Sequence, residues 1–306
     1  MPSIQVQKIH SLTGHRDCVY TVEASNHASH IFSASGDGMI VRWNLSAPEE
    51  GELIAKLPNS VYAIHYVATD DLLIAGHNYE GIHVLDWKEK KEVASLKLSS
   101  ASIFDIQSVN NNDLLVASGD GSLTVVDLKN MMVKKKLLHA EKSARVIAIN
   151  THAGEVAVGY SDYFIRIFSL QDYSLKHEFK AHDNSVFALR YTPDHHFLIS
   201  GSRDARLKVW DVASGYTQAE EVVAHLFAIN HLTFSPSGNH FVTGSMDKSI
   251  KVWDTHSLKL LKVIDRARHA GHGTSVNKLL WTSFNDQLVS ASDDRTLSVW
   301  TLKFDA

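Results

Sequence analysis

An aspartate set among small residues returns along this chain at nearly constant spacing. That period limits the fold more than any other feature. It stands at Asp37, Asp120, Asp162, Asp204, Asp247 and Asp294, with Tyr79 at the equivalent place in the second copy. The successive intervals are 42, 41, 42, 42, 43 and 47 residues. The clearest copy spans residues 199–211: a small-residue strand, a turn at Arg203-Asp204, and an alternating strand ending Val209-Trp210-Asp211. Residues 243–254 repeat it closely, and residues 33–44 and 290–300 follow the same pattern. A period of this length means that one supersecondary unit is stacked on the next.

Each unit carries four short strand-like runs. In the fifth these are 186–191, 197–202, 207–211 and a weaker run near Val222. Turn residues separate them, at Pro193-Asp194, Arg203-Asp204 and Ser214-Gly215. All five prolines fall in turns or links, and no long window has helical periodicity. A small four-stranded sheet cannot bury both faces alone, so the units must cover one another. Seven units fill the 306 residues and leave no space for a second domain. Their approximate bounds are 13–58, 59–100, 101–140, 141–180, 181–224, 225–270 and 271–306. The last unit stops after its third strand, while a spare alternating run, 3–12, precedes the first. Pairing that run into the last sheet closes the array into a ring and removes its free edges. The expectation is an all-β, monomeric ring of four-stranded antiparallel sheets.

Composition narrows the partners. A formal net charge of −4 gives no electrostatic reason to expect nucleic acid or an anionic membrane. No apolar run reaches 18 residues, and the first residues lack the basic and apolar regions of a signal peptide. With Cys18 as its single cysteine, the chain forms no internal disulfide and no thiolate metal cluster. A cytoplasmic protein without a cofactor is expected.

Four residue types are gained and lost together among the repeats. Units one, five, six and seven have a hydroxyl four residues before the aspartate: Ser33, Ser200, Thr243 and Ser290. The same units have a tryptophan six residues after it: Trp43, Trp210, Trp253 and Trp300. They also have an upstream histidine: His15, His182, His225 and His272. Units two to four have Ala75, Val116 and Val158 for the hydroxyl and Leu85, Val126 and Phe168 for the indole. Residues that vary as a set are expected to touch. A carboxylate, an imidazole, a hydroxyl and an indole N–H can satisfy one another's hydrogen bonds in sequence. Ser, His and Asp are also the parts of a nucleophilic triad. Four copies, each with the hydroxyl paired to an indole, argue for a structural fastening and against catalysis. Units two to four are expected to rest on apolar packing alone and to be the less rigid sector.

Gly14-His15, Gly271-His272, Trp210-Asp211 and Trp253-Asp254, in phase over the full length, resemble the WD-repeat family. The resemblance implies a seven-bladed β-propeller and the same Asp-His-Ser/Thr-Trp hydrogen bonds. It also implies a partner surface on the face carrying the blade-to-blade links. Its contact positions lie three and five residues after the histidine and just before the aspartate. The five-after position holds Tyr20, Tyr62, Phe104, Ile147, Phe187, Asn230 and Asn277. The three-after position gives Cys18, Ser60, Ser102, Arg145, Ser185, Ala228 and Ser275. Before the aspartate stand Gly36, Asn78, Gly119, Ser161, Arg203, Met246 and Asp293. Aromatic residues with Arg145 and Arg203 nearby have the composition of a binding hot spot.

The long last interval comes from an extra loop, 265–271, whose Arg266 and Arg268 are candidates to clamp a carboxylate or phosphate. The turn histidines His27, His30, His152, His195, His196 and His240 scatter over different blades, so no metal site is expected. Lys134-Lys135-Lys136 reads as a charged outer edge. The reading favoured is a non-catalytic scaffold binding a peptide or protein segment. The alternatives are an enzyme using the central channel and a structural subunit of a fixed complex.

Overall fold

In the computed structural model, which describes residues 4–109 and 112–304, the period resolves into seven four-stranded antiparallel sheets. In blade five, from the innermost strand outward, the strands are Val186–Tyr191, Phe197–Ser202, Arg206–Asp211 and Thr217–Val223. Blade seven contains Val276–Trp281, Gln287–Ser292 and Leu297–Phe304, and its outermost strand is Ile4–Leu12 from the chain start. That strand runs antiparallel to the last one, with Ile4 opposite Phe304 and Leu12 opposite Leu297. Ser3 and residues 305 and 306, expected at the ends of this sheet, lie outside the described residues. The fold is a seven-bladed β-propeller. The chain divides into two compact units. One holds the chain up to Val61 and from Asn230 onward, with blades one, six and seven; the other holds Tyr62–Ile229, with blades two to five.

The periodic aspartate builds a turn. Each of the six accepts a hydrogen bond at one carboxylate oxygen from the backbone N–H two residues on, at Met39, Ser122, Phe164, Arg206, Ser249 and Thr296. This Asx geometry carries the intervening residue into the left-handed region, as at Gly38, Gly121, Tyr163, Ala205, Lys248 and Arg295. Gly38 has no substitute there, because a Cβ would stand 2.1 Å from the Leu57 carbonyl oxygen.

The small residues before the turn let blades approach. A Cβ on Gly159 would lie 2.7 Å from Val186 of blade five, and one on Gly244 would lie 2.8 Å from Val276 of blade seven. Apolar clusters fill these contacts. Leu115, Leu123, Ile147, Val158 and Phe168 join blades three and four, and Ile165, Ile167, Val186, Leu189 and Trp210 join blades four and five. In the other unit, Val242, Val252, Val276, Leu279 and Trp300 join blades six and seven.

Blades two to four do not rest on apolar packing alone, which corrects the sequence expectation. At the start of the second strand each carries, or is immediately preceded by, a carboxylate with aromatic donors. Asp71 accepts from Tyr66 Oη–H at 2.5 Å and Trp87 Nε1–H at 3.0 Å. Asp113 accepts from Tyr173 of blade four at 2.8 Å, and Glu155 accepts from Tyr216 of blade five at 2.5 Å. Tyr191 closes the last group at 2.8 Å from Tyr216. The Asp71 group fastens blade two internally, while the Asp113 and Glu155 ties join blade three to four and blade four to five. Tyr216→Phe is expected to lower the unfolding free energy by about 1–3 kcal/mol, the cost of removing a hydrogen bond to a buried carboxylate. The urea midpoint reads this, with an unchanged slope showing that the two-state transition is intact.

The lysine run lies on the outermost strand Met132–Leu138 and is fully engaged. Lys134 pairs with Asp113, Lys136 with Asp120 at 2.9 Å, and Lys135 Nζ donates to the Asp172 carbonyl at 2.7 Å. The extra segment before His272 is a single helical turn, Arg266–His269, in place of the expected open loop. Asp265 caps it by accepting from the Arg268 N–H.

Candidate functional site

Two groups of residues matter, one buried and one on the surface. The buried group is most complete in blade five. Asp204 Oδ2 lies 2.9 Å from His182 Nδ1, His182 Nε2 lies 2.7 Å from Ser200 Oγ, and Trp210 Nε1–H donates to that same oxygen at 2.9 Å. The carboxylate selects the tautomer with the proton on Nδ1, so Nε2 accepts from the hydroxyl. Blade seven repeats this with His272, Asp294, Ser290 and Trp300 at 2.8, 2.8 and 2.9 Å. In blade one, His15 Nε2 and Trp43 Nε1 reach Ser33 Oγ at 2.7 and 2.8 Å, but His15 Nδ1 stands 3.5 Å from Asp37. In blade six, Trp253 Nε1–H donates to Thr243 Oγ1 at 2.9 Å, Asp247 turns the chain, and His225 is buried. Ser33, Ser200, Thr243 and Ser290 are all 0% exposed. A hydroxyl sealed from solvent and held by an indole is not a nucleophile any substrate can reach.

The charges follow from these contacts. Burial pushes the Asp204 carboxyl up, but the hydrogen bond from His182 and those from the N–H groups of Arg206 and Asp183 outweigh it, leaving it at about 2. Asp294 is likewise lowered to about 2, with His272 and Thr296 outweighing burial.

The surface group is set by β-bulges. In the innermost strand the pairing skips one residue in blades one, three, four, five and seven: Tyr20, Phe104, Arg145, Phe187 and Asn277. A bulge leaves that residue out of the ladder and re-aims its side chain. Blade four therefore departs from the sequence alignment by two residues. Arg145, not Ile147, stands with Phe104 and Phe187. Ile147 is buried, and its N–H donates to Asp105 at 2.8 Å. Ser143 takes the three-after place, its carbonyl accepting from Ser161 as Ser185 accepts from Arg203.

Within the unit of blades two to five these residues form an arc. The Tyr62 and Phe104 rings are 5.8 Å apart. The Arg145 guanidinium lies 4.0 Å from the Phe104 ring centre and 5.3 Å from that of Phe187. Its Nε–H donates to Ser161 Oγ at 2.8 Å, and among the described residues no carboxylate pairs with it. Burial lowers the Arg145 pKa; Tyr62 opposes that shift and the neighbouring charge of Arg203 adds to it. Arg203 is itself exposed.

The candidates in the other unit are differently engaged. Asn277 donates to the Val19 carbonyl at 3.0 Å and to Asp293 at 2.7 Å. Asn230 donates to Ser275 Oγ and the Val276 carbonyl, both at 2.9 Å. The thiol of Cys18 is pushed up to about 11 by burial and by Asp293. Tyr20 is half-buried and Met246 is 57% exposed. Arg268 is held by Asp265 through Nε–H and a terminal N–H at 2.9 and 2.6 Å, which removes it as a clamp. Arg266 is exposed and borders a shallow depression with Gly273 and Asp294.

Sequence reasoning missed two features. Leu226 and Phe227, 82% and 59% exposed, stand in the link after His225. That link is bonded through the Ala224 and His225 N–H groups to the Ala205 carbonyl, next to the turn of Arg203 and Asp204. Two consecutive apolar residues where blade five has Asp183-Asn184 were the available signal. The second feature is a cluster of His77, Glu80 and His83, whose even spacing around one turn was also visible.

The family model for WD domain, G-beta repeat, matches residues 6–44, 173–211, 217–254 and 264–301, just over half of the chain. The chain belongs to the WD-repeat family. The four matches end on blades one, five, six and seven, the same blades that carry the tryptophan. Proteins of this family generally act as protein-interaction scaffolds. Among relatives, a striatin homolog of Dictyostelium discoideum is 22% identical over 70% of this chain and 30% of its own length. The 66 kDa stress protein of Physarum polycephalum is 26% identical over 69% of this chain and 35% of its own. WD repeat-containing protein 1-B of Xenopus laevis is 26% identical over 68% of this chain and 34% of its own. The WD-repeat chain thus spans about a third of the length of these relatives. Among the described residues no helix is long and apolar enough to cross a membrane.

Proposed function

We propose that this WD-repeat protein is a non-catalytic scaffold that binds an acidic peptide or protein segment on the arc of Tyr62, Phe104, Arg145 and Phe187. Arg203 and the exposed Leu226 and Phe227 extend the surface. The observation that carries the reading is Arg145. A guanidinium over the Phe104 ring, near Phe187 and a second arginine, is partly desolvated and has no carboxylate partner among the described residues. A partner carboxylate would form charge-assisted bonds with its terminal N–H groups, while partner side chains pack on the rings. The test is affinity purification with wild type and with a Phe104→Ala, Arg145→Ala variant checked for a native circular dichroism spectrum. The reading expects a defined set of partners to disappear with the variant; an unchanged set contradicts it.

A further inference from the structure

We propose that His77, Glu80 and His83 of blade two form a binding site for a divalent transition metal, with Zn2+ the best-matched ion. Glu92 holds one of the ligands in place. His77 ends the second strand, Leu72–His77, Glu80 lies in the following turn, and His83 lies in the third strand, Gly81–Asp86. The register sets Ala75 opposite His83, so alternation puts His77 and His83 on one face of the sheet as a diagonal pair. Their rings meet edge to face at 5.3 Å. His77 Nδ1 is 3.5 Å and His83 Nε2 3.9 Å from Glu80 Oε2, and the three donor atoms all lie within 4.8 Å of one another. Bonds of about 2.0–2.1 Å to a tetrahedral ion need donors little closer than this. Glu80 is largely exposed and can rotate to close the gap.

Two observations point to a ligand. The His77 side chain is 0% exposed, yet neither ring nitrogen has a hydrogen-bond partner among the described residues. A buried polar atom left so is costly, and an ion bound at Nδ1 removes part of that cost. Then His83 Nδ1 is 2.6 Å from Glu92 Oε2 on the outermost strand Lys91–Lys97. That carboxylate accepts a hydrogen bond from Nδ1–H and so leaves the lone pair on Nε2, 3.9 Å from Glu80 Oε2, as metal-bound histidines are commonly oriented. Two imidazoles and a carboxylate are a donor set suited to Zn2+.

Comparison among blades supports a dedicated site. Where blade two has His77, blades one, three, five, six and seven have Ser35, Ser118, Ser202, Ser245 and Ser292. Where the others have the turn aspartate, blade two has Tyr79. Blade two thus lacks every member of the buried hydrogen-bonded set and carries three metal donors around the same turn.

The test uses the full chain, stripped of metal and titrated with Zn2+ against a chromophoric chelator, with Co2+ spectra reporting the ligand field. Wild type is expected to take up one equivalent and to melt at higher temperature with Zn2+. His77→Ser, which installs the residue of the other blades, and His83→Ala should each lose at least about a hundredfold in affinity, and Glu92→Gln about ten- to a hundredfold. Glu80→Gln, at an exposed position, tests the third ligand without threatening the fold. His196→Ala, at an exposed turn histidine, should bind as wild type does. Absence of stoichiometric binding by wild type would overturn the proposal. So would undiminished binding by the His77→Ser and His83→Ala variants, which would place the ion on other histidines.

Discussion

Trp210→Ala is expected to lower the unfolding free energy by about 3–5 kcal/mol, among the largest single losses available in this chain. The indole is 4% exposed and belongs to the cluster joining blades four and five. Removing it opens a cavity between two sheets and takes one donor from Ser200. Trp210→Phe separates the two effects. It keeps most of the volume and removes the N–H, at a cost of about 1 kcal/mol. His182→Ala removes the bridge between Asp204 and Ser200 and leaves both short of a partner. Because all four residues form one network, the losses of Trp210→Phe and His182→Ala should not add, with a coupling of about 0.5–3 kcal/mol. Additive losses would mean that the hydrogen bonds are incidental to packing. The network also has a pH signature. The Asp204 carboxyl moves from 3.8 to about 2 on folding, so its contribution is fully present above about pH 4. It is lost as the pH falls through the folded value, and is worth about 1–2 kcal/mol. Asp204→Asn should flatten this acid limb in urea titrations, and protonation of the wild-type carboxyl should mimic it at low pH.

Arg145→Ala should weaken binding of the captured partner by at least about thirtyfold, the size expected of a hot-spot arginine. Arg145→Lys is the more telling change. Lysine keeps the charge but loses the planar group that stacks on Phe104 and the paired donors that match a carboxylate. A loss of about tenfold is expected, against near-wild-type affinity if only net charge mattered. Phe104→Ala removes the ring beneath the guanidinium and the neighbour of Tyr62, and should cost as much as Arg145→Ala. Asn277 and Asn230, whose side chains are bonded within the protein, should matter less.

The period, the strand count and the completion of blade seven by the first strand were legible because each is repeated or left incomplete in the sequence. The complete Asp-His-Ser-Trp hydrogen bonds of blades five and seven were legible for a related reason, since residues that come and go together report their contact. The register of blade four was not. Arg145 and Ile147 are two residues apart, and strand alternation is unchanged by a shift of two. Only the bulge, which the pattern does not encode, places Arg145 on the arc. The carboxylate ties escaped because Tyr173 meets Asp113 and Tyr216 meets Glu155 across blades, at non-equivalent positions of different repeats. The histidine cluster escaped because it occurs in one blade alone.

The central claim is that a partner carboxylate completes Arg145. The direct measurement is a double-mutant cycle on the isolated partner segment, pairing Arg145→Ala with conversion of each acidic residue of the segment to its amide. One acidic residue should couple to Arg145 by about 1.5 kcal/mol or more, with little further loss once either member is changed. Additive losses at every acidic position, or full affinity in the Arg145→Lys protein, would contradict the account.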